Sequence, residues 1–481
     1  MKKILLVSLF LLSCCSVGVK AQTVSTVTTY GMFSTQFTDP TDRVIFLGND
    51  IDFDNNALGT MGATKTIDGQ NNALNGLYQN GLQVNNNGTL TLKNITLTNM
   101  TRAVYLSAGQ LRVSDNVTFS SNSVTSGSGG AISITGLNST LNFVNSTMTF
   151  ISNSANNNGG GAIDIDKEVK ANWNNSVISF TSNTATNGGA LHIIDASTVT
   201  INASSMSFIG NTATRNGGAM DVWKNSAISW TNNSYALFQN NRSSFGSASD
   251  RTGGAIFFGS NSTVTFSNSE AHFIENNTGK NGGAIATQAF DSETAILKFE
   301  GSTVTFRGNI AANFGGAIYV ENYSTISFQN SSATFTLNYS SGSGGAIYAT
   351  GNNTALNFSG SAAIFAYNTA SSNGGAIYLS PGVKTNFTNS TATFFGNQAL
   401  NVNGGAIYNN DSTISFTSST VNFTSNNANY GGAIYNTGNN VTINFTSSSV
   451  HFTSNSANSG GAVYMGNGSI SFSGSTVTAI G

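Results

Sequence analysis

Two short motifs alternate along most of this 481-residue chain. One is a box of two glycines, an alanine and an aliphatic residue or methionine, and the other is a phenylalanine followed three positions later by an asparagine. Each motif occurs twelve times. The box begins at Gly129, Gly160, Gly188, Gly217, Gly253, Gly282, Gly315, Gly344, Gly374, Gly404, Gly431 and Gly460. The second motif begins at Phe119, Phe150, Phe180, Phe208, Phe238, Phe273, Phe306, Phe335, Phe365, Phe394, Phe423 and Phe452. Such repetition predicts a solenoid, in which each repeat forms one coil.

The length and content of one repeat select the type of solenoid. Successive boxes lie 27 to 36 residues apart, a period that belongs to solenoids. A helical repeat needs apolar residues spaced by about 3.6 over roughly ten or more residues, and no repeat has such a run. Short alternating runs lie instead between Asn, Ser and Gly residues, as in residues 317–337. The pattern predicts an all-β, right-handed parallel β-helix with three short strands per coil.

Stacking of such coils turns each motif into a ladder. Equivalent residues of neighbouring coils would lie about 4.8 Å apart, so we expect the phenylalanines to stack inside and the asparagines to hydrogen-bond along a line of turns. The glycine pair is expected to form a corner that a Cβ would obstruct. The motif residues are therefore assigned structural roles, represented by Phe119, Asn122, Gly129, Gly130, Phe335, Asn338, Gly344 and Gly345.

Residues 1–21 have the features of an export signal. Two lysines precede an apolar run over residues 4–12, and Ala21 closes a short small-residue cleavage site. A second possible cut, before Cys14, would leave a lipidated N-terminus that anchors the chain to a membrane. Cleavage after Ala21 removes both cysteines, so the exported chain is expected to lack disulfides. The sequence predicts a location outside the cytoplasm.

The remaining chain divides into two predicted parts. Residues 22–110 contain β-type runs without the box, such as residues 90–99, and are expected to form irregular first coils that cap the solenoid. Residues 111–481 contain the repeats and are expected to stop in the middle of a repeat, without a cap or a membrane barrel.

Charge and composition argue against nucleic acid as a partner and against a disordered chain. Charged residues make up 8% of the chain, the formal net charge is -2, and no basic run follows residue 3. Nucleic acid is therefore not an expected partner. Hydrophobic residues make up 39% of the chain and recur at fixed spacing, which predicts a folded chain rather than a disordered one. No cofactor is expected.

The combination of the box with Phe-x-x-Asn resembles the polymorphic outer membrane protein repeat, known from chlamydial surface proteins, over roughly residues 119–464. The resemblance implies a surface-displayed β-helical passenger that acts in adhesion and is exported through a C-terminal autotransporter barrel. It also implies a protein or glycan of a host cell or neighbouring cell as the partner, at the outer membrane or in the extracellular space. The sequence departs from the family because no barrel follows the repeats and the mature region lacks cysteine.

One outward position in the strand after each box carries the candidate chemical groups. Asp164, His192 and Asp221 occupy it in consecutive coils, and Asp166 lies two residues further along the same face. A histidine between carboxylates suits a metal ion or acid–base chemistry on a glycan. A surface charge ladder explains the same residues without a site. We favour the charge ladder and expect no metal.

The same position holds tyrosine in the last six repeats. These residues are Tyr319, Tyr348, Tyr378, Tyr408, Tyr435 and Tyr464. A stripe of exposed rings about 25 Å long would suit sugar rings or a protein partner. A cross-strand aromatic ladder that only stabilises the sheet explains the pattern equally simply, and we favour that explanation.

Two other functions use repetitive β-folds. A β-helical enzyme acting on extracellular polysaccharide needs grouped carboxylates, whereas residues 301–481 contain only Glu321 and Asp411. Ice binding suits outward threonine pairs such as Thr263 and Thr265, but it requires coils of regular length, and the box spacing is irregular. The sequence predicts a secreted or surface-exposed adhesive β-helix without catalytic activity, with the polysaccharide enzyme as the alternative.

Overall fold

The structure, a computed structural model, describes residues 23–481 except residues 55–57, 86, 245–251, 290–292 and 440. It is an all-β parallel β-solenoid of about 14 turns with about 29 residues per turn, which confirms the predicted fold class. The predicted export signal at residues 1–21 lies outside the described residues.

Each coil of the repeat region contains the three expected strands and, in most coils, a short fourth one. The strand after the box forms the box ladder, which contains Thr60–Met61, Asn80–Val84, Arg102–Ser107, Ile132–Thr135, Ile163–Asp166, Leu191–Ile193, Met220–Val222, Ile256–Gly259, Ile285–Gln288, Ile318–Val320, Ile347–Ala349, Ile377–Leu379, Ile407–Asn410, Ile434–Thr437 and Val463–Met465. The two-residue to six-residue strands that precede the box form the short ladder, which contains Ser123–Val124, Ser154–Gly159, Thr184–Asn187, Thr212–Ala213, Arg242–Ser243, Asn277–Thr278, Ile310–Ala311, Tyr339–Ser340, Thr369–Ala370 and Gln398–Ala399.

The other two strands of each coil belong to one large sheet. The middle ladder contains Thr23–Val27, Arg43–Leu47, Thr64–Asp68, Lys170–Asn174, Thr198–Asn202, Ala227–Thr231, Ser262–Ser267, Ala295–Glu300, Ser324–Gln329, Ala355–Ser359, Lys384–Thr388, Thr413–Thr417, Thr442–Thr446 and Ser469–Ser473. The phenylalanine ladder contains Ile51–Asp52, Ala73–Asn75, Val177–Thr181, Ser205–Ile209, Tyr235–Gln239, Glu270–Ile274, Thr303–Arg307, Ser332–Thr336, Ala362–Ala366, Thr391–Phe395, Thr420–Thr424, Ser449–Thr453 and Thr476–Ile480. Three long strands run through both ladders, Thr89–Thr98, Gln110–Ser120 and Thr140–Ile151.

Two parallel stacks of aromatic rings fill the core. The motif phenylalanines, including Phe119 and Phe335, stack with ring centroids 4.7 to 5.1 Å apart. A second stack, which the sequence analysis did not predict, runs through the middle ladder from Trp230 to Phe472. The two stacks meet edge to face in several coils, as between Phe299 and Phe306. Each buried phenylalanine contributes about 1.5 to 3 kcal/mol relative to exposure.

The motif asparagines form a buried ladder at the turn after the phenylalanine strand. The Asn338 amide nitrogen Nδ2 donates to the carbonyl oxygen of Phe306 at 3.0 Å and to Oδ1 of Asn368 at 2.9 Å. The same two kinds of bond recur from Asn122 through Asn426. Each side chain therefore satisfies backbone and side-chain groups of its neighbouring coils, which a buried polar group requires.

The glycine box forms a corner between the short ladder and the box ladder. Gly344 has a positive φ of 69°, which favours glycine. A Cβ on Gly345 would meet the carbonyl oxygen of Gly375 inside van der Waals contact and lie 2.7 Å from the backbone nitrogen of Thr369. Gly129 and Gly130 occupy the same corner in an earlier coil, where Gly129 also has a positive φ.

One helix, Tyr30–Thr38, packs on the first coils, and the sequence analysis missed it. The Thr29 hydroxyl oxygen accepts a hydrogen bond from the backbone N–H of Met32 at its start. Phe33 and Phe37 are fully buried on its inner side. Their spacing, together with a threonine cap, was the available signal. Within the described residues, no helix combines the length and apolarity needed to cross a membrane.

Candidate functional site

The candidate residues form one row, the outer row, on the outer face of the box ladder. Strand register places one outward residue of each coil beside its counterpart in the next coil. The outer row contains Ser133, Asp164, His192, Asp221, Phe257, Ala286, Tyr319, Tyr348, Tyr378, Tyr408, Tyr435 and Tyr464. The alignment agrees with the sequence pattern, so the carboxylates and the histidine are brought together.

The outer row is not the exposed surface that the sequence pattern predicted. Its members from Ser133 to Tyr319 are 0% to 7% exposed, and the following tyrosines are half-buried. Neighbouring rings cover part of the row: Phe314, just before a box, stacks on Tyr348 with centroids 4.6 Å apart. Alternation predicts which side chains point away from the core, but not what covers them.

His192 lies between two buried carboxylates. Asp164 Oδ1 is 2.7 Å from His192 Nδ1, and Asp221 Oδ2 is 3.7 Å from His192 Nε2. Burial alone would lower the pKa of His192, but the hydrogen bond and charge of Asp164, with the charges of Asp221 and Asp166, outweigh it and raise that pKa. Burial raises the pKa of Asp221 to about 6. The three residues form a buried charge ladder.

The charge ladder does not have the geometry of a metal centre. Both ring nitrogens of His192 face carboxylate oxygens, so neither nitrogen points together with those oxygens towards one shared position for a metal ion. In the part of the chain that the structure describes, no group of three His, Cys, Asp or Glu side chains is placed to hold a metal ion. A metal site at Asp164, His192 and Asp221 stays untested, and the contacts of His192 favour the charge ladder.

We expect the charge ladder to make the protein more stable in mild acid than in mild base. The pKa of His192 is higher in the folded state than in the unfolded state. Its contribution to the free energy of unfolding is therefore fully present below about pH 6.5, and it is lost as the pH rises through the pKa of the folded state. The folded pKa of Asp221 is also raised, so the folded state gains stability as the pH falls from about 7 towards 4. The midpoint of thermal unfolding should be a few degrees higher near pH 5 than near pH 8, measured by calorimetry.

The substitution Asp221→Asn distinguishes the contribution of Asp221 to this pH dependence from that of His192. It removes the titration of Asp221, so the pH dependence of its unfolding midpoint should be shallower than that of the unaltered chain. The tyrosines with pKa values near 12 do not titrate in this range. A midpoint that is constant between about pH 5 and pH 8 would contradict the proposed charge states.

The six tyrosines stack along the second half of the outer row. Successive ring centroids lie 4.6 to 5.6 Å apart, and the ring planes are within 14° of parallel. Burial raises the pKa of Tyr348 and Tyr408 to about 12, and it also raises the pKa values of Tyr378 and Tyr435. Their hydroxyl groups are therefore neutral at physiological pH.

A partly open pocket of about 500 Å³ lies over the first half of the outer row. Its floor contains the charge ladder and a pair of stacked rings, Trp223 and Phe257, with centroids 5.4 Å apart. Asp166, Arg215 and Lys224 also line it. The sequence analysis identified the carboxylates but missed Trp223, Phe257 as a ring platform, and the basic residues. The repeat pattern contained no signal for them, because each occurs in one coil only.

Two family descriptions match parts of the chain. The pectate lyase-like adhesive domain matches residues 24–129. No curated protein matches the chain. Among solved structures, a PL6 family alginate lyase, AlyGC, and a variant of it are each 9% identical over 95% of this chain and 100% of theirs. Their TM-scores of 0.20 and 0.18 are too low to support any argument about this protein.

The second description, the Chlamydia polymorphic membrane protein repeat, matches residues 303–321, 332–350, 362–380 and 391–410. Each matched segment begins with a strand of the phenylalanine ladder and ends just after or within a strand of the box ladder, so it contains both motifs and the short strand between them. The resemblance drawn from the motifs is thereby confirmed, and these four segments match the Chlamydia polymorphic membrane protein repeat.

Proposed function

We propose that the protein is an exported bacterial surface β-helix with an adhesive role and no catalytic activity. The observation that carries this proposal is the presence of an adhesive-domain match and a polymorphic membrane protein repeat match on one continuous solenoid. The partner would be a protein or glycan on a host cell or neighbouring cell. The N-terminal signal would take the chain to the outer membrane or the extracellular space.

The tyrosine half of the outer row is the proposed contact surface. From Tyr348 onward its rings are half-buried. All six rings are held by their stacking neighbours and spaced regularly over about 25 Å. Rings that are fixed before binding lose little conformational entropy on contact, and tyrosine combines an apolar face with a polar end. Such a stripe suits a partner with an extended apolar and hydrogen-bonding surface.

We expect the double substitution Tyr378→Ser and Tyr435→Ser to weaken cell binding about tenfold or more, because it interrupts the stripe at two points. It removes four ring contacts, so the free energy of unfolding should also fall, by about 1 to 4 kcal/mol. Binding is measured by flow cytometry of bacterial and cultured animal cells incubated with the labelled chain.

Two matched variants separate binding from stability. Tyr378→Phe with Tyr435→Phe keeps the rings and should retain both stability and most binding. Tyr367→Ser changes an exposed tyrosine outside the outer row and should leave binding unchanged. If the double serine variant binds cells as well as the unaltered chain does, the tyrosines only stabilise the sheet.

A polysaccharide-degrading β-helix is the second candidate function, because Asp166, His192 and Asp221 line one pocket. Two features favour adhesion instead: both nitrogens of His192 are engaged by carboxylates, and the repeats beyond residue 301 contain only two acids. Incubation with polysaccharides and measurement of reducing ends distinguishes the two. Release of reducing ends that is lost in Asp221→Asn would favour the enzyme.

A further inference from the structure

We propose that the pocket over Asp166, Asp221 and Trp223 binds a neutral, hydroxyl-rich sugar of about two pyranose rings. The pocket has a volume of about 500 Å³ and lies on the outer face of the box ladder. This proposal does not depend on the adhesive role of the tyrosines, which occupy later coils. Either can fail while the other holds.

The stacked pair of Trp223 and Phe257 provides an apolar platform. The ring centroids are 5.4 Å apart and the ring planes differ by 23°, so the two rings stack on each other as one apolar unit in the pocket lining. The Trp223 ring lies over Gly259, where a Cβ would overlap it. Glycine at that position makes room for the ring. The C–H face of a pyranose stacks on such an aromatic surface.

Two carboxylate oxygens in the pocket lack hydrogen-bond donors. Asp221 is 5% exposed, and its buried Oδ1 has no hydrogen-bond partner within the described part of the chain. Asp166 Oδ1 is also buried without a partner there. A buried acceptor without a donor is costly, so a ligand that supplies hydroxyl donors is favoured.

The spacing of these acceptors matches a disaccharide. Asp166 lies in the coil two turns before Asp221 and two residues further along its strand. With coils about 4.8 Å apart and about 3.3 Å per residue along a strand, the two carboxylates are separated by roughly 12 Å. Two linked pyranose rings span about that length, with the platform beside one of them.

The charges in the pocket favour a neutral sugar over an acidic one. Lys224 Nζ lies 3.3 Å from Asp195 Oδ1, and His192 lies between Asp164 and Asp221. The charge of Arg215 acts on Asp221, so the three cations of the pocket already face carboxylates. The atoms that lack partners are acceptors. An acidic sugar would place another carboxylate beside Asp221 and Asp166, which is unfavourable in a partly buried site.

Saturation-transfer NMR on the chain from residue 23 onward tests the proposal. The ligands are three neutral disaccharides, cellobiose, maltose and lactose, each at about 10 mM, a concentration suited to weak binding. Digalacturonate serves as the acidic comparison, and the disaccharide of glucosamine serves as the basic one. We expect saturation transfer to the ring protons of at least one neutral disaccharide, and weaker transfer to the acidic sugar.

Substitutions in the pocket test whether the sugar binds there. Trp223→Ala removes the platform and should weaken binding about tenfold, whereas Trp223→Phe should retain most of it. Asp221→Asn replaces an acceptor by a group that also donates and should weaken binding several-fold. Tyr435→Ser, in a distant coil, should have no effect, and thermal melting of each variant verifies folding. The proposal is overturned if no neutral disaccharide binds, if a charged sugar binds better, or if Trp223→Ala binds as the unaltered chain does.

Discussion

Replacement of Gly345 by alanine is expected to destabilise the solenoid by about 3 to 5 kcal/mol. The added Cβ would meet the carbonyl oxygen of Gly375 and lie 2.7 Å from the backbone nitrogen of Thr369. These atoms belong to the neighbouring coil, so the two coils would have to separate locally. Urea unfolding gives the free energy, and hydrogen exchange shows whether the loss is confined to the adjacent coils.

Gly308→Ala is the matched control. Gly308 has a positive φ of 63°, but the nearest atom to its added Cβ would be Glu275 Cγ at 3.4 Å, which belongs to a flexible side chain. Non-glycine residues occupy the same turn position in other coils, including Leu337 and Tyr367. Only backbone strain of about 1 kcal/mol is therefore expected. Gly345 has no positive φ, so its variant tests the overlap with the neighbouring coil. If Gly345→Ala destabilises the protein no more than Gly308→Ala does, close packing of the coils does not make glycine necessary at position 345.

The fold could be predicted from the sequence because the same pattern of strands and turns recurs in every repeat. Alternation in each short run predicts the inward side chains, such as Ile318 and Val320, and both are fully buried. The box and Phe-x-x-Asn fix the register, since every coil places them at the same corner and turn. The helix Tyr30–Thr38 was missed because it occurs once, and a single short amphipathic run carries a weak signal.

The site was less predictable for the same reason. The sequence placed Asp164, His192 and Asp221 side by side, but it predicted a solvated ladder where the structure buries all three. Burial along the outer row depends on rings that vary from coil to coil, such as Trp223 on Phe257 and Phe314 on Tyr348. Periodicity reports what is common to all coils, whereas a pocket depends on what differs between them.

The second large effect is expected from Asn338→Ala, which should destabilise the protein by about 4 kcal/mol. The Asn338 side chain makes four hydrogen bonds: it donates to Phe306 and Asn368, and it accepts from the backbone and the side-chain amide of Asn309. Alanine leaves buried groups on two neighbouring coils without partners. The unfolding free energy from urea titration, with hydrogen exchange at residues 309 and 368, is the measurement.

Two comparisons identify the hydrogen bonds as the cause. Asn338→Asp has the same shape and still accepts from Asn309, but it cannot donate, and its charge faces the oxygens of Phe306 and Asn368. It should therefore be at least as destabilising as alanine. Asn455→Ala removes the last asparagine of the ladder, which is partly exposed, so water can replace its partners and the loss should be about 1 kcal/mol. If Asn338→Ala is no more damaging than Asn455→Ala, the buried asparagine ladder contributes little, and the strand ladders and stacked phenylalanines hold the coils together.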